Sequence, residues 1–114
     1  MTVNTYLQEW SVRADPSSVK AGSVTFVAHS EGTMPHELVV VKTTLAPDKL
    51  PVGEDSAVIE GGPVEVIGEI EPDELSPSAT ASKTMELEAG SYVLICNIAG
   101  HYSSGMHTPF TVIT

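Results

Sequence analysis

Apolar and polar residues alternate with a period of two along much of this chain, and no stretch sustains the period of 3.6 that an amphipathic helix requires. The segment "SVTFVAHS" places Val24, Phe26 and Ala28 on one face and Thr25, Val27 and His29 on the other. "HELVVVKT" has an unbroken apolar centre, which predicts a strand buried on both faces. "VEVIGEI" sets Val64, Val66 and Gly68 against Glu65, Ile67 and Glu69, with the glycine predicting a bulge or a close approach. "SKTMELEAGSYVLICNI" predicts two strands joined as a hairpin through Glu88-Ala89-Gly90-Ser91, with Tyr92, Leu94 and Cys96 sharing a face of the second. "HTPFTVIT" predicts a closing strand whose proline lies near its start, where a missing donor is tolerated. With "TYLQEWSVRA" as an opening strand, about seven strands result, and the fold class expected is an all-β sandwich. Residues 45–80, rich in Pro, Gly and acids, predict a long excursion holding at most one strand and a short helix.

A length of 114 residues suits a single domain, 1–114, with a real core. Hydrophobic residues make up 41% of the chain and charged residues 18%, the balance of a globular domain, and no apolar run is long enough for a membrane-spanning helix. The opening "MTVNTYLQEW" has no basic segment followed by an apolar stretch, so the sequence as it stands shows no leader. The net charge of -10 argues against nucleic acid or an anionic membrane surface as partner and favours a basic one. Between Pro51 and Ser82, eight acidic residues (Glu54, Asp55, Glu60, Glu65, Glu69, Glu71, Asp73 and Glu74) occur without a single lysine or arginine. Such a run is ordinarily a solvated face; its functional reading is a surface that steers a cationic partner.

Candidate chemistry concentrates in "CNIAGHYSSGMH", where Cys96, His101 and Met106 form C-x4-H-x4-M between two predicted strands. A lone cysteine forms no internal disulfide. A loop between strands of a rigid sandwich can offer several ligands to one ion, and His36, at the start of the buried "HELVVV" strand after a Gly/Pro turn, is the candidate fourth. Two imidazoles, one thiolate and a weak thioether are the donor set of copper electron-transfer sites. Thiolate and thioether favour Cu(I) and imidazole suits both oxidation states, so one ion cycles between Cu(I) and Cu(II) with little rearrangement.

Other readings of these residues fit less well. Structural zinc ordinarily recruits more than one cysteine and no thioether. A cysteine nucleophile beside His101 lacks an orienting Asp or Asn and an oxyanion-binding helix. Each residue taken singly is more often structural, as a buried cysteine and surface polar groups. His29 and His107 are read as structural or solvent-facing, and Trp10 as packing at a sheet edge.

The segments "VKAGSVTFVAHSEGTMPHELVV" and "LEAGSYVLICNIAGHYSSGMHTPFTV" together resemble the cupredoxins, the small blue copper proteins, and "AGHYSSGM" is similar to the ligand loop of rusticyanin and sulfocyanin. The resemblance implies a Greek-key β-sandwich with one copper ion near one end, held by His36, Cys96 and His101 with Met106 axial. It implies a one-electron carrier between redox protein partners, working outside the cytoplasm in the periplasm or at the cell surface, and not an enzyme. The partner would meet an apolar rim around His101 made of Met34, Pro35, Ile98, Ala99 and Tyr102, of which Ile98 fits core packing equally well. The residue after the first ligand histidine, Asn or Ser in many relatives, is Glu37 here. Its backbone N–H can donate to the thiolate, and its carboxylate would favour Cu(II). Asn97 is then the better candidate for hydrogen bonds between loops. Two alternatives use similar ligands. One is copper storage or delivery, for which Met1, Met34 and Met85 form no evident cluster with Met106. The other is an electron-transfer domain of a larger copper oxidase or nitrite reductase, whose second copper His29 and His107 alone cannot build.

Overall fold

A computed structural model of the protein describes residues 1–114, and its regular structure is almost wholly β. Nine strands run in chain order as β1 (Thr2–Gln8), β2 (Ser11–Asp15), β3 (Ser18–Lys20), β4 (Gly22–Ser30), β5 (Leu38–Lys42), β6 (Glu65–Ile70), β7 (Thr80–Leu87), β8 (Gly90–Ile95) and β9 (His107–Ile113). A single 3-10 turn, Pro72–Glu74, follows β6. The strands form two sheets, ordered β2-β1-β4-β7 and β3-β9-β8-β5-β6, with parallel pairing of β1 to β4 and of β3 to β9.

Alternation decides which side of each strand is dry. Val24, Phe26 and Ala28 of β4 are fully buried while Thr25, Val27 and His29 are only partly so, as the period of two dictates. Phe26 meets Phe110 of β9 across the sandwich, ring centroids 5.6 Å apart and tilted by 60°, and these two large rings join the sheets within the main core. Truncating either to alanine is expected to cost about 3–5 kcal/mol.

β5 is dry on both faces, as its apolar run predicts. Leu38 and Val40 point into the main core, whereas Val39 and Val41, with Val93 and Ile95 of β8, point outward under Leu50, Val58, Val64 and Tyr102. The excursion after β5 is therefore a cover for the outer face of the second sheet. It carries one strand and one short helical turn, as its composition suggests. The glycine of "VEVIGEI" marks a close approach: a Cβ on Gly68 would lie 2.8 Å from the Met85 sulfur of the facing sheet. The pairing of β5 with β6 slips beside it, between Val40 and Val41.

Two expectations need correction. The opening segment is a hairpin rather than one strand, because β1 and β2 pair antiparallel about the two-residue link Glu9-Trp10. That link contains none of the Gly, Asn or Asp residues that signal a tight turn in sequence. The second correction concerns β7 and β8, which form no hairpin: β7 pairs with β4 in one sheet, and β8 pairs with β5 and β9 in the other. Glu88-Ala89 carries the chain across the sandwich, a path that calls for the same turn residues as a hairpin.

Candidate metal centre

Three elements bring the candidate ligands together at one end of the sandwich. Cys96 follows β8 and continues its inward alternation with Tyr92 and Leu94, which seals the thiol completely. The loop 96–106 is closed at its neck, where Cys96 N–H donates to the Met106 carbonyl at 3.2 Å. Inside it, His101 N–H donates to Ile98 O at 2.9 Å and Met106 N–H to His101 O at 3.2 Å, so the loop holds its own shape. His36 is set just before β5, its N–H bonded to the Leu75 carbonyl at 3.1 Å.

The donor atoms converge. His36 Nδ1 lies 3.8 Å and His101 Nδ1 3.4 Å from Cys96 Sγ, and all three atoms fall within 4.8 Å of one another. Thiolate and imidazole donors bound to one ion of zinc or copper size at about 2.3 and 2.0 Å stand roughly 3.5–3.7 Å apart for angles between tetrahedral and trigonal. The observed spacings match the edges of such a polyhedron. His36, Cys96 and Met106 have no exposure and His101 has 5%, and Met106 belongs to the same buried cluster as Cys96. One thiol, two imidazoles and a thioether in a dry enclosure fit copper better than an oxygen-seeking cation.

Burial shapes the electrostatics. It pushes the Cys96 thiol above its ordinary value, partly offset by the Glu37 N–H, which donates to Sγ at 3.3 Å. It pulls the His101 imidazole below its ordinary value, and the neighbouring His36 adds to that shift. A buried thiol and a neutral imidazole side by side are poised to exchange the thiol proton for a metal ion.

The residue that orients His36 is one the sequence does not announce. Glu9 Oε2 accepts from His36 Nε2–H at 2.9 Å, which leaves Nδ1 free to face the thiolate. Glu9 Oε1 accepts from both Thr33 N–H and Thr33 Oγ1–H at 2.8 Å. These bonds, the His36 one foremost, lower the Glu9 carboxyl to about 2. Gly32 makes room for it, since a Cβ there would lie 1.5 Å from Oε2. Trp10, next in the chain, packs its indole edge-to-face on the His101 ring, centroids 5.0 Å apart and planes at 86°, while staying 44% exposed. It therefore covers a candidate ligand rather than packing only at a sheet edge.

The remaining residues divide. The Asn97 side chain ties the ligand loop to the excursion: its Oδ1 accepts from Val58 N–H at 2.7 Å, and its Nδ2 donates to Val58 O and Glu60 Oε2. Glu37 is half-buried, and its carboxyl is raised to about 7 by burial and then by Glu69, Glu71 and Glu60. Of the expected rim, Met34, Pro35 and Ala99 are exposed and Ile98 is partly buried against the core. Tyr102 belongs to no rim: it is 4% exposed, beneath the excursion, with its hydroxyl accepting from Leu50 N–H at 3.1 Å and donating to Pro47 O. An aromatic ring this size gains more from covering Val39 and Val41 than from facing water. His29 is structural, bonded to Asn4 Oδ1 at 3.0 Å and stacked on Tyr6. His107 is partly buried and packs against Tyr102.

The model of the sulfocyanin (SoxE) domain matches residues 18–114. Solved structures share the fold over nearly the whole chain. Reduced auracyanin from Roseiflexus castenholzii is 21% identical, with 99% of this chain and 97% of that one covered and a TM-score of 0.67. Auracyanin A, a "blue" copper protein from Chloroflexus aurantiacus, is also 21% identical, with 98% of each chain covered and a TM-score of 0.65. Rusticyanin from Thiobacillus ferrooxidans is 16% identical, with 98% of this chain and 76% of that one covered and a TM-score of 0.60. None of the curated protein sequences matches.

Proposed function

The chain belongs to the sulfocyanin family, and we propose that it is a type 1 copper protein that carries single electrons between redox proteins. The observation that carries this reading is the convergence of His36 Nδ1, Cys96 Sγ and His101 Nδ1 as a buried cluster, with Met106 in the same core as Cys96. When bound, copper supplies a one-electron couple between Cu(I) and Cu(II). His36, Cys96 and His101 are proposed to hold it, with Met106 as the weak fourth ligand.

The chain's own contribution is to hold these donors still. The closed neck between Cys96 and Met106, the loop bonds around His101 and the Glu9 bond to His36 fix ligand positions before a metal arrives. A donor set that cannot relax makes a change of charge at the ion cheap in reorganisation, which suits a carrier. Complete burial of three of the four donors keeps water and substrates away, whereas a catalytic metal keeps an open position. We take residues 1–114 as one domain, working outside the cytoplasm with partners that present positive charge, in keeping with the net charge of -10.

The test is visible absorption after loading with Cu(II) and an oxidant, repeated on Cys96→Ser. An intense thiolate-to-copper band that bleaches reversibly on reduction and is absent from the variant supports the carrier. A wild-type protein that binds copper without such a band would move storage or delivery ahead of it.

A further inference from the structure

His36, Cys96 and Met106 are closed off from solvent and His101 is only 5% exposed, so an electron exchanged with a partner meets chiefly what covers His101. Trp10 is the half-exposed aromatic residue in that cover, with its indole directly against the His101 ring. The contact is built from both sides. On the ligand loop, Gly105 passes so close that a Cβ on it would lie 2.9 Å from the Trp10 carbonyl oxygen, and its φ of +126° is one that side-chain-bearing residues rarely adopt. On the other side, Glu9 anchors the same two-residue link to His36 and Thr33. The link lies outside residues 18–114, so the family match assigns it no role.

We propose that Trp10 is the electron port of this protein, the surface on which a cationic one-electron partner seats and through which electrons pass to and from His101. The inference rests on the copper reading above. A packed aromatic ring bridges the step from imidazole to surface without the water gap that would slow tunnelling. A half-exposed tryptophan is also one of the residue types enriched among interface anchors, and Met34, next in the chain to the Thr33 that Glu9 holds, is a second exposed apolar side chain at 37%. The net charge of -10, with Glu37, Glu60, Glu69 and Glu71 grouped beside the His36 loop, sets the sign of the partner as positive around its cofactor edge. In each encounter the reduced centre gives up one electron and the partner's oxidised cofactor takes it; no bond or proton moves.

The experiment is stopped-flow oxidation of the reduced copper protein by tris-phenanthroline cobalt(III), a cationic aromatic one-electron oxidant. The variants are Trp10→Lys, Trp10→Phe and Ile113→Lys. Ile113 is exposed and lies about 20 Å along β9 from the ligand end, so it carries the same change in net charge at a distance. Trp10→Lys should slow the reaction about 10-fold or more, while Ile113→Lys should stay within about 2-fold and Trp10→Phe within about 3-fold of wild type. Equal slowing by the two lysines would overturn the port, because only net charge would then matter. A second readout needs no variant: Trp10 is the only tryptophan, and its fluorescence should be quenched when Cu(II) is loaded. Emission unchanged by the metal overturns the contact itself. Absence of the thiolate-to-copper band in wild type would instead overturn the copper reading and the port with it.

Discussion

Glu9 and His36, 27 residues apart in the chain, meet in a 2.9 Å hydrogen bond that determines which ring nitrogen of His36 is free to face Cys96. The carboxylate takes Nε2–H, so Nδ1 carries the lone pair toward the thiolate. An imidazole that donates to a carboxylate is also more electron-rich at its other nitrogen and stabilises the higher oxidation state of a bound metal.

Replacing Glu9 with Gln should therefore raise the reduction potential and weaken copper binding about 10- to 100-fold, while the visible band persists. Voltammetry and competition with a chelator check both effects. An unchanged potential would mean that the bond orients His36 without tuning it.

Gly32 gives an independent route to the same bond. A Cβ at this position would lie 1.5 Å from Glu9 Oε2, and since the obstacle is the end of a flexible side chain, the carboxylate must swing away from His36. Gly32→Ala is expected to shift the potential in the same direction as Glu9→Gln. The double variant should shift it no further than the larger single change, because both act through one contact. Additive shifts measured by voltammetry would show that the glycine acts elsewhere.

These two residues also mark where sequence reasoning stops. The ligand candidates are legible because Cys96, His101 and Met106 lie within one short loop and His36 begins an evident strand, so local spacing carries the information. Glu9 and Trp10 reach the site only because β1 and β2 fold back on each other and β1 then pairs with β4. Nothing local distinguishes Glu9 from the other acidic residues. The same limit explains β7 and β8: glycine-bearing turn chemistry shows that the chain reverses, and the partner of each strand depends on which distant face is apolar. Alternation predicts the burial of Val24, Phe26 and Ala28 because it needs no partner, whereas the surface placement of Tyr102 fails because a distant excursion covers it.

Glu37 places a carboxyl beside the thiolate. Burial and the nearby Glu69, Glu71 and Glu60 raise it to about 7, and a cation in the adjacent site acts in the opposite direction and favours its ionised form. Glu37→Gln should raise the reduction potential by the equivalent of about 1 kcal/mol, roughly 40 mV, after allowance for its half-exposed position. The backbone N–H to Cys96 Sγ survives the substitution, so the absorption band should stay in place. An unchanged or lower potential would rule out the electrostatic role.

Glu69 tests the same acidic group without touching the ligands. Oxygens of Glu37, Glu69 and Glu71 lie within 4.8 Å of one another, and the Glu69 carboxyl is raised by burial first and by Glu71 and Glu60 after that. A carboxyl raised in the folded state binds more protons folded than unfolded, so its ionisation opposes folding above the folded pKa, and that cost fades as pH falls toward the unfolded value of 4.5. Glu69→Gln should therefore stabilise the metal-free protein at pH 8, by less than about 1 kcal/mol given its exposure, and by a smaller amount at pH 5.5. The buried thiol and imidazole titrate in both proteins and largely cancel in the difference. Urea denaturation at the two pH values reads it directly, and a gain equal at both, or larger at pH 5.5, would show that like-charge repulsion is not what the substitution relieves.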